Sequence, residues 1–193
     1  MGLSLVTPAS VAPLLLDQAK AHLRIDSTDD DALLTTLIDA AAGQYFGEHG
    51  TTGRSLLNET YDATWDAWPV DHCLRLPRSK VQSVTSVKYI DTAGDEQTLA
   101  ADQYTLISDV APGRVDRAYG VSWPTLRTEA NAVRVRFVAG FGSSWNDIPR
   151  DLQVGLLHLV AHWHETREPI ITGTTVAKVP FSLEAIFAKY KVH

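Results

Sequence analysis

Two helical signatures flank a long stretch whose hydrophobic period is two, and that switch limits the fold more than any other feature of the chain. Near the start stand LDQAKAHLRI (16–25) and DDDALLTTLIDAAAGQYF (29–46); near the end stands IPRDLQVGLLHLVAHWHETRE (148–168). In each, apolar residues recur at spacings of three and four, as on one face of a helix. From Ser55 to Gly140 the spacing falls to two, and Pro and Gly punctuate it, as short strands joined by turns require. The expected class is α+β: a short N-terminal helix, two longer helices and a short C-terminal helix, with a small, mainly antiparallel sheet inserted between them. A chain of 193 residues fits one such domain over 1–193. Its parts are an arm and helices over 1–54, a β-rich insert over 55–141, a long helix over 147–168 and a tail over 169–193.

Residues 1–13 read as an extended arm, because Pro8 and Pro13 oppose helix. Leu16, Ala19 and Leu23 then make the apolar side of a helix over about 16–24. Ser27 and Thr28 are N-cap candidates for the next, with Asp29, Asp30 and Asp31 in its first turn, where carboxylates oppose the positive helix end. Capping accounts for that acidic run better than a cation site, since a calcium loop needs a longer alternating ligand pattern. Leu33, Leu34, Leu37, Ile38, Ala41, Ala42 and Tyr45 form one broad stripe, with Thr35, Thr36, Asp39 and Gly43 opposite. Gly47, Gly50 and Gly53 end the helix. Small residues from Ala40 to Gly43 would let another helix approach closely.

Within the insert, ETYDATWDAW alternates Tyr61, Ala63 and Trp65 with Asp62, Thr64 and Asp66. CLRLP, VQSVTSVKYI, QTL, QYTLI, GRVDRA and AVRVRFVAGF follow as short strands, and the last gives the clearest alternation: Val133, Val135 and Phe137 against Arg134 and Arg136. DTAGDE (91–96) has a hairpin turn's composition. Tyr119, Trp123 and Pro124 should seat a loop against the sheet. Asp147 should cap the long helix, with Pro149 in its first turn. That helix has two apolar stripes: Leu152, Leu156, Leu159, Val160 and Trp163 make one, Val154, Leu157 and Ala161 the other. A helix with two apolar faces must bury both, either inside its own subunit or against a neighbour. The tail ends in FSLEAIFAKYKVH, a short amphipathic helix with Phe181, Leu183, Ile186, Phe187 and Tyr190 as its apolar positions. Such a helix either docks in a partner's groove or packs on its own subunit.

The bulk numbers exclude several classes. The chain is 45% hydrophobic and 21% charged, ordinary for a globular protein, and no apolar run approaches the length that spans a bilayer. MGLSLVTPAS has no basic region followed by an apolar core, so no secretory signal is expected. Cys73 is the one cysteine, so no intrachain disulfide forms and a reducing compartment suits folding. The net charge of −6, without a basic patch, argues against tight nucleic-acid binding. An acidic wall facing DNA would instead repel phosphate and let the polymer slide.

The sequence offers little catalytic chemistry. His158 and His162 stand four apart on a helix, a spacing by which two imidazoles can bind zinc. The residue after His158 is Leu159, so the HExxH arrangement is absent, and Asp151 and Glu165 lie about two turns away, roughly 10 Å along the axis. A polar helix strip is the plainer account, with a zinc-dependent enzyme as the alternative. No phosphate loop, dinucleotide fingerprint, nucleophile elbow or CxxC occurs. No cofactor is expected, and no catalytic or metal residue is assigned. A monomeric binding module built on the β-insert and its tryptophans is a third possibility.

Taken in order, LDQAKAHLRID with DDDALLTTLIDAA, LRLPRSKVQSVTSVKYID, AYGVSWP, VRVRFVAGFG and IPRDLQVGLLHLVAHWHETRE cover about residues 14–168. In that order the chain resembles the head–tail connector, or adaptor, proteins of tailed bacteriophages and phage-like gene-transfer particles. The resemblance implies a non-catalytic virion protein, assembled in the bacterial cytoplasm, that forms a homo-oligomeric ring in the neck. Such rings usually have twelve subunits and sit under the portal protein. They carry a stopper or tail-completion protein and extend the conduit for double-stranded DNA, which passes without specific binding and without a membrane. By the family pattern the C-terminal segment, here about 169–193, reaches the portal, so Phe181, Leu183, Ile186, Phe187 and Tyr190 are the docking candidates. Ring subunits need two complementary surfaces; Leu33, Leu37, Tyr45, Val154, Leu157 and Trp163 are the candidates for the subunit interface. Asp29 to Asp31 and Asp91 to Asp95 are candidates for the channel wall.

Overall fold

The computed structural model describes residues 1–47, 49–166 and 181–192, and the chain divides into two compact units. A sheet unit comprises Met1–Ala9, Asn58–Gly140 and the end of the chain; a helical unit comprises Ser10–Leu57 and Phe141–Lys191.

The sheet unit is built around the strand with the cleanest alternation. Its strands are β1 (Gly2–Thr7), β2 (Glu59–Trp65), β3 (Cys73–Arg75), β4 (Val81–Ile90), β5 (Glu96–Thr98), β6 (Tyr104–Ile107), β7 (Arg114–Arg117) and β8 (Val133–Ala139). All pairs are antiparallel, in a five-stranded sheet of order β1-β2-β8-β4-β5 and a three-stranded sheet of order β3-β7-β6. On central β8, Val133, Val135, Phe137 and Ala139 are fully buried, while Arg134 and Arg136 point the other way. Tyr61 and Val84 flank Phe137 in register, and the Tyr61 and Phe137 rings stack with centroids 5.9 Å apart. Leu74 and Val115 of the smaller sheet join the same buried cluster, so both sheets share one core.

The N-terminal arm is not free. Gly2–Thr7 pairs with β2 as an edge strand, because Leu3 and Leu5 alternate onto the core before Pro8 ends the pairing. The β4–β5 hairpin forms where DTAGDE predicts it. Asp91 Oδ1 accepts from the N–H groups of Ala93, Gly94 and Asp95 at 2.9, 3.0 and 3.0 Å, and Gly94 supplies the positive φ of 98°. Trp123 and Pro124 also seat their loop as expected: the Trp123 ring stacks on Trp68 at 4.4 Å, and Trp68 Nε1–H donates to the Pro124 carbonyl at 2.8 Å. Tyr119 departs from that expectation and stands fully exposed.

The helical unit holds α1 (Leu16–Leu23), α2 (Asp31–Tyr45), α3 (Arg150–Glu165) and α4 (Phe181–Ala188). Leu14, Ala19, Leu34, Ile38, Phe46 and Leu156 are among its buried residues. Two helix starts differ from their sequence reading. Asp30, not Ser27 or Thr28, holds the N-cap of α2, and no side chain caps it. The acidic run is tied to neighbouring helices instead: Lys20 Nζ donates to Asp31 Oδ1 at 2.7 Å, and His164 Nε2 lies 3.1 Å from Asp30 Oδ2. Asp147 closes a separate 3-10 turn, Trp145–Asp147, in a reciprocal capping box with Ser144. The Ser144 hydroxyl, and then backbone N–H groups, hold the Asp147 carboxyl below its usual range. Ile148 is extended ahead of Pro149, as the residue before proline prefers, and α3 begins at Arg150. Buried Gln153 secures that start: its amide donates to the carbonyls of Trp145 and Ile148 at 2.7 and 2.9 Å.

Candidate assembly interface

The surfaces left over once each core is filled are the candidate site. On the helical unit, α3 buries Leu152, Leu156, Leu159 and Val160 through the expected stripe. The second stripe is treated unevenly. Leu157 and Ala161 are half-buried, as is Trp163, but Val154 is 47% exposed. On α2, Leu33, Leu37 and Tyr45 are half-buried beside the buried Leu34, Ile38 and Ala41. The opposite face of α2 carries Ala32, Thr35, Thr36, Asp39, Ala40 and Gly43, all exposed.

A groove of about 560 Å³ lies between α1, α3 and α4. Its apolar lining includes Val154, Ala161, Leu183 and Ile186; its polar lining includes His22, Arg24, His158, His162 and Glu165. The His22 and His158 rings meet edge to face with centroids 5.2 Å apart. That juxtaposition is tertiary, and spacing along the chain gives no sign of it. No group of three or more His, Cys, Asp or Glu arranged to hold a metal ion occurs among the described residues, so the geometry adds nothing to a zinc site at His158 and His162.

α4 packs on its own unit. Leu183 and Phe187 are buried; the Phe187 ring stacks on Tyr45 at 4.0 Å and meets Phe46 edge to face at 5.9 Å. Ile186 and Tyr190 are half-buried, and Phe181 opens the helix with a side chain outside the described residues. Polar contacts clamp the end: Tyr190 OH and Lys189 Nζ donate to Asp151 at 2.7 and 2.9 Å, and Arg54 Nε–H donates to the Tyr190 carbonyl at 2.6 Å. Burial pushes the Asp151 carboxyl up, but the bonds from Lys189 and Tyr190 outweigh it and leave the carboxyl below its usual range. Burial, then the bond to Asp151, pushes the Tyr190 phenol up. The rest of the tail, 167–180, lies outside the described residues.

The outward face of the larger sheet is polar and internally paired. Arg136 donates to both oxygens of Asp62 at 2.8 Å, Lys88 donates to Glu96 at 2.6 Å, and Arg134 also pairs with Glu96. The Lys88 hydrogen bond, against slight desolvation, and then the Arg134 charge hold Glu96 below its usual range. Cys73 is half-buried on β3, its thiol 3.4 Å from Asp71 Oδ2. No helix among the described residues is long and apolar enough to cross a membrane.

This geometry has counterparts among known proteins. Residues 14–75, about a third of the chain, match the family described as phage gp6-like head-tail connector proteins. No curated protein matches the chain. Among solved structures, a chain in the neck of an empty GTA particle, computed with C6 symmetry, is 28% identical, with a TM-score of 0.82 over 100% of this chain and 96% of that one. A chain in the virion of a native gene transfer agent (GTA) particle is also 28% identical, with a TM-score of 0.79 over 100% of this chain and 96% of that one. A third, in the neck of a native GTA particle computed with C12 symmetry, is 26% identical, with a TM-score of 0.74 over the same shares. The N-terminal part of the chain thus carries the head–tail connector pattern, and the whole chain has the fold of a GTA particle subunit.

Proposed function

We propose that this chain is a structural connector in the neck of a phage-like particle. The observation that carries the reading is the full-length match to a GTA neck subunit, with a TM-score of 0.82, joined to the connector match over 14–75. Copies close into a ring at the head–tail interface, and the C12 symmetry of one matching neck favours twelve. The ring meets the portal on one side and a stopper or tail-completion protein on the other, and DNA passes through it unbound. The net charge of −6 suits that passage, since an acidic wall does not hold phosphate. Asp29 and Asp95 are exposed and are the candidates for the wall, whereas Asp30, Asp31 and Asp91 are engaged in the contacts described above.

Contact with the portal through the tail has a specific requirement. Leu183 and Phe187 are buried in their own unit, so portal docking by these residues needs α4 to leave it; docking by Ile186 and Tyr190 does not need the whole helix to move. Electron microscopy of particles produced without this chain tests the function. Heads lacking tails are expected; normally tailed particles would overturn it.

A further inference from the structure

We propose that the groove between α1, α3 and α4 receives the exposed face of α2 from a second copy of this chain, in a head-to-tail contact. The proposal rests on the ring reading above and names the two surfaces that ring would join. Val154 stands 47% exposed in a helix whose neighbouring apolar positions, Leu152 and Leu156, are buried. It lies in the groove, with His158 one turn further along. An aliphatic side chain presented this way is best covered by a surface without long side chains.

The outer face of α2 is such a surface. Thr35 and Thr36 donate their hydroxyls to the carbonyls of Asp31 and Ala32 at 2.8 and 2.9 Å, so burying them leaves no donor unmet. Gly43 is the sharper sign. Glycine inside a helix is less stable than alanine, yet a Cβ at Gly43 would meet nothing within 4 Å among the described residues. The other interior glycine of the described helices, Gly155, has an internal reason: its Cβ would come within 3.3 Å of the Phe187 ring. Nothing among the described residues accounts for Gly43, and close approach by another molecule does.

Polar groups favour the same pairing. The Arg24 guanidinium and the ring nitrogens of three imidazoles line the groove beside the carboxylate of Glu165, and they offer hydrogen-bond donors to Asp39, the one charged residue among those exposed on the α2 face. Spacing fits as well. Gly43 and Asp39 are one turn apart on α2, as Val154 and His158 are on α3, so an antiparallel seating sets Val154 against the glycine and His158 beside the carboxylate. Because groove and face are different surfaces of one subunit, the contact propagates rather than stopping at a dimer.

Cysteine cross-linking tests this. In a Cys73→Ser background, Gly43→Cys combined with Val154→Cys is oxidised with the protein alone and bound to the portal protein of its particle. A disulfide-linked ladder extending past the dimer is expected, with no ladder from either single cysteine. Wild-type rings that form while the paired cysteines give no ladder would overturn the contact and leave the ring standing. A wild-type chain that forms no ring in either condition would overturn both. A charge exchange checks the polar part: Asp39→Lys should raise the concentration needed for assembly at least tenfold, and adding His158→Glu should restore it. Assembly of Asp39→Lys at the wild-type concentration, with an unchanged melting curve, would count against the pairing.

Discussion

The central strand of the sheet unit and the helices α2 and α3 of the helical unit place their apolar and small residues differently. Along β8 the alternation is used up internally: Val133, Val135 and Phe137 reach zero exposure, and Arg134 and Arg136 find carboxylates on the other face, although Val70 and Tyr119 stand exposed in loops of the same unit. In the helical unit the books do not close. Val154 is exposed, a helix face of small residues stands open, and nothing among the described residues accounts for Gly43. Where every residue choice is answered within the subunit, stability alone explains the sequence; where choices go unanswered, a partner is the missing term.

Substitutions can sharpen or break that contrast. Phe137→Ala should have the largest effect, about 4 kcal/mol, because it opens a cavity at the centre of the sheet-unit core; denaturant unfolding followed by tryptophan fluorescence measures it. Phe187→Ala should cost about 3 kcal/mol, but locally, by freeing α4 from Tyr45 and Phe46. Hydrogen exchange should then rise over 183–190 and stay unchanged across β8; a uniform rise would mean that α4 is integral to global stability. Gly43→Ala should stabilise the isolated subunit by about 0.5–1 kcal/mol through helix propensity. Destabilisation there would reveal an internal role for the glycine and weaken the contrast.

The smallest expected effect is an acid response of α4. The folded-state pKa of Asp151 lies below its unfolded value of about 3.9, so its contribution is complete above that pH and is lost as pH falls through the folded value. Exchange protection near Tyr190 should hold at pH 5 and decline below about pH 4. Asp151→Asn should remove that decline. Tyr190 acts at the other end: its raised phenol contributes below about pH 10, and that contribution is lost as pH rises through the folded value.

Much of the fold was legible where one physical signal dominated. VQSVTSVKYI reads as a strand and β4 spans those ten residues; the DTAGDE turn follows from Asp and Gly chemistry. Sequence reasoning failed where tertiary partners overrode local rules. GLSLVT is short and sits beside Pro8, so it reads as an arm, yet β2 offers it an edge. Asp30 and Asp31 have the composition of caps but spend their side chains on His164 and Lys20. Ser144 and Asp147 form a capping box, though for a turn that precedes the helix. The candidate site was only half visible. Val154 and the small residues of α2 could be read from periodicity, whereas His22 beside His158, and Arg54 clamping Tyr190 from 136 residues away, arise only on folding.

The central claim is that this chain is a ring-forming connector. Light scattering of the purified full-length protein, alone and then mixed with the portal protein of its particle, tests it most directly. A mass corresponding to a closed ring in either sample is the predicted result. A 21.2 kDa monomer in both would contradict the account.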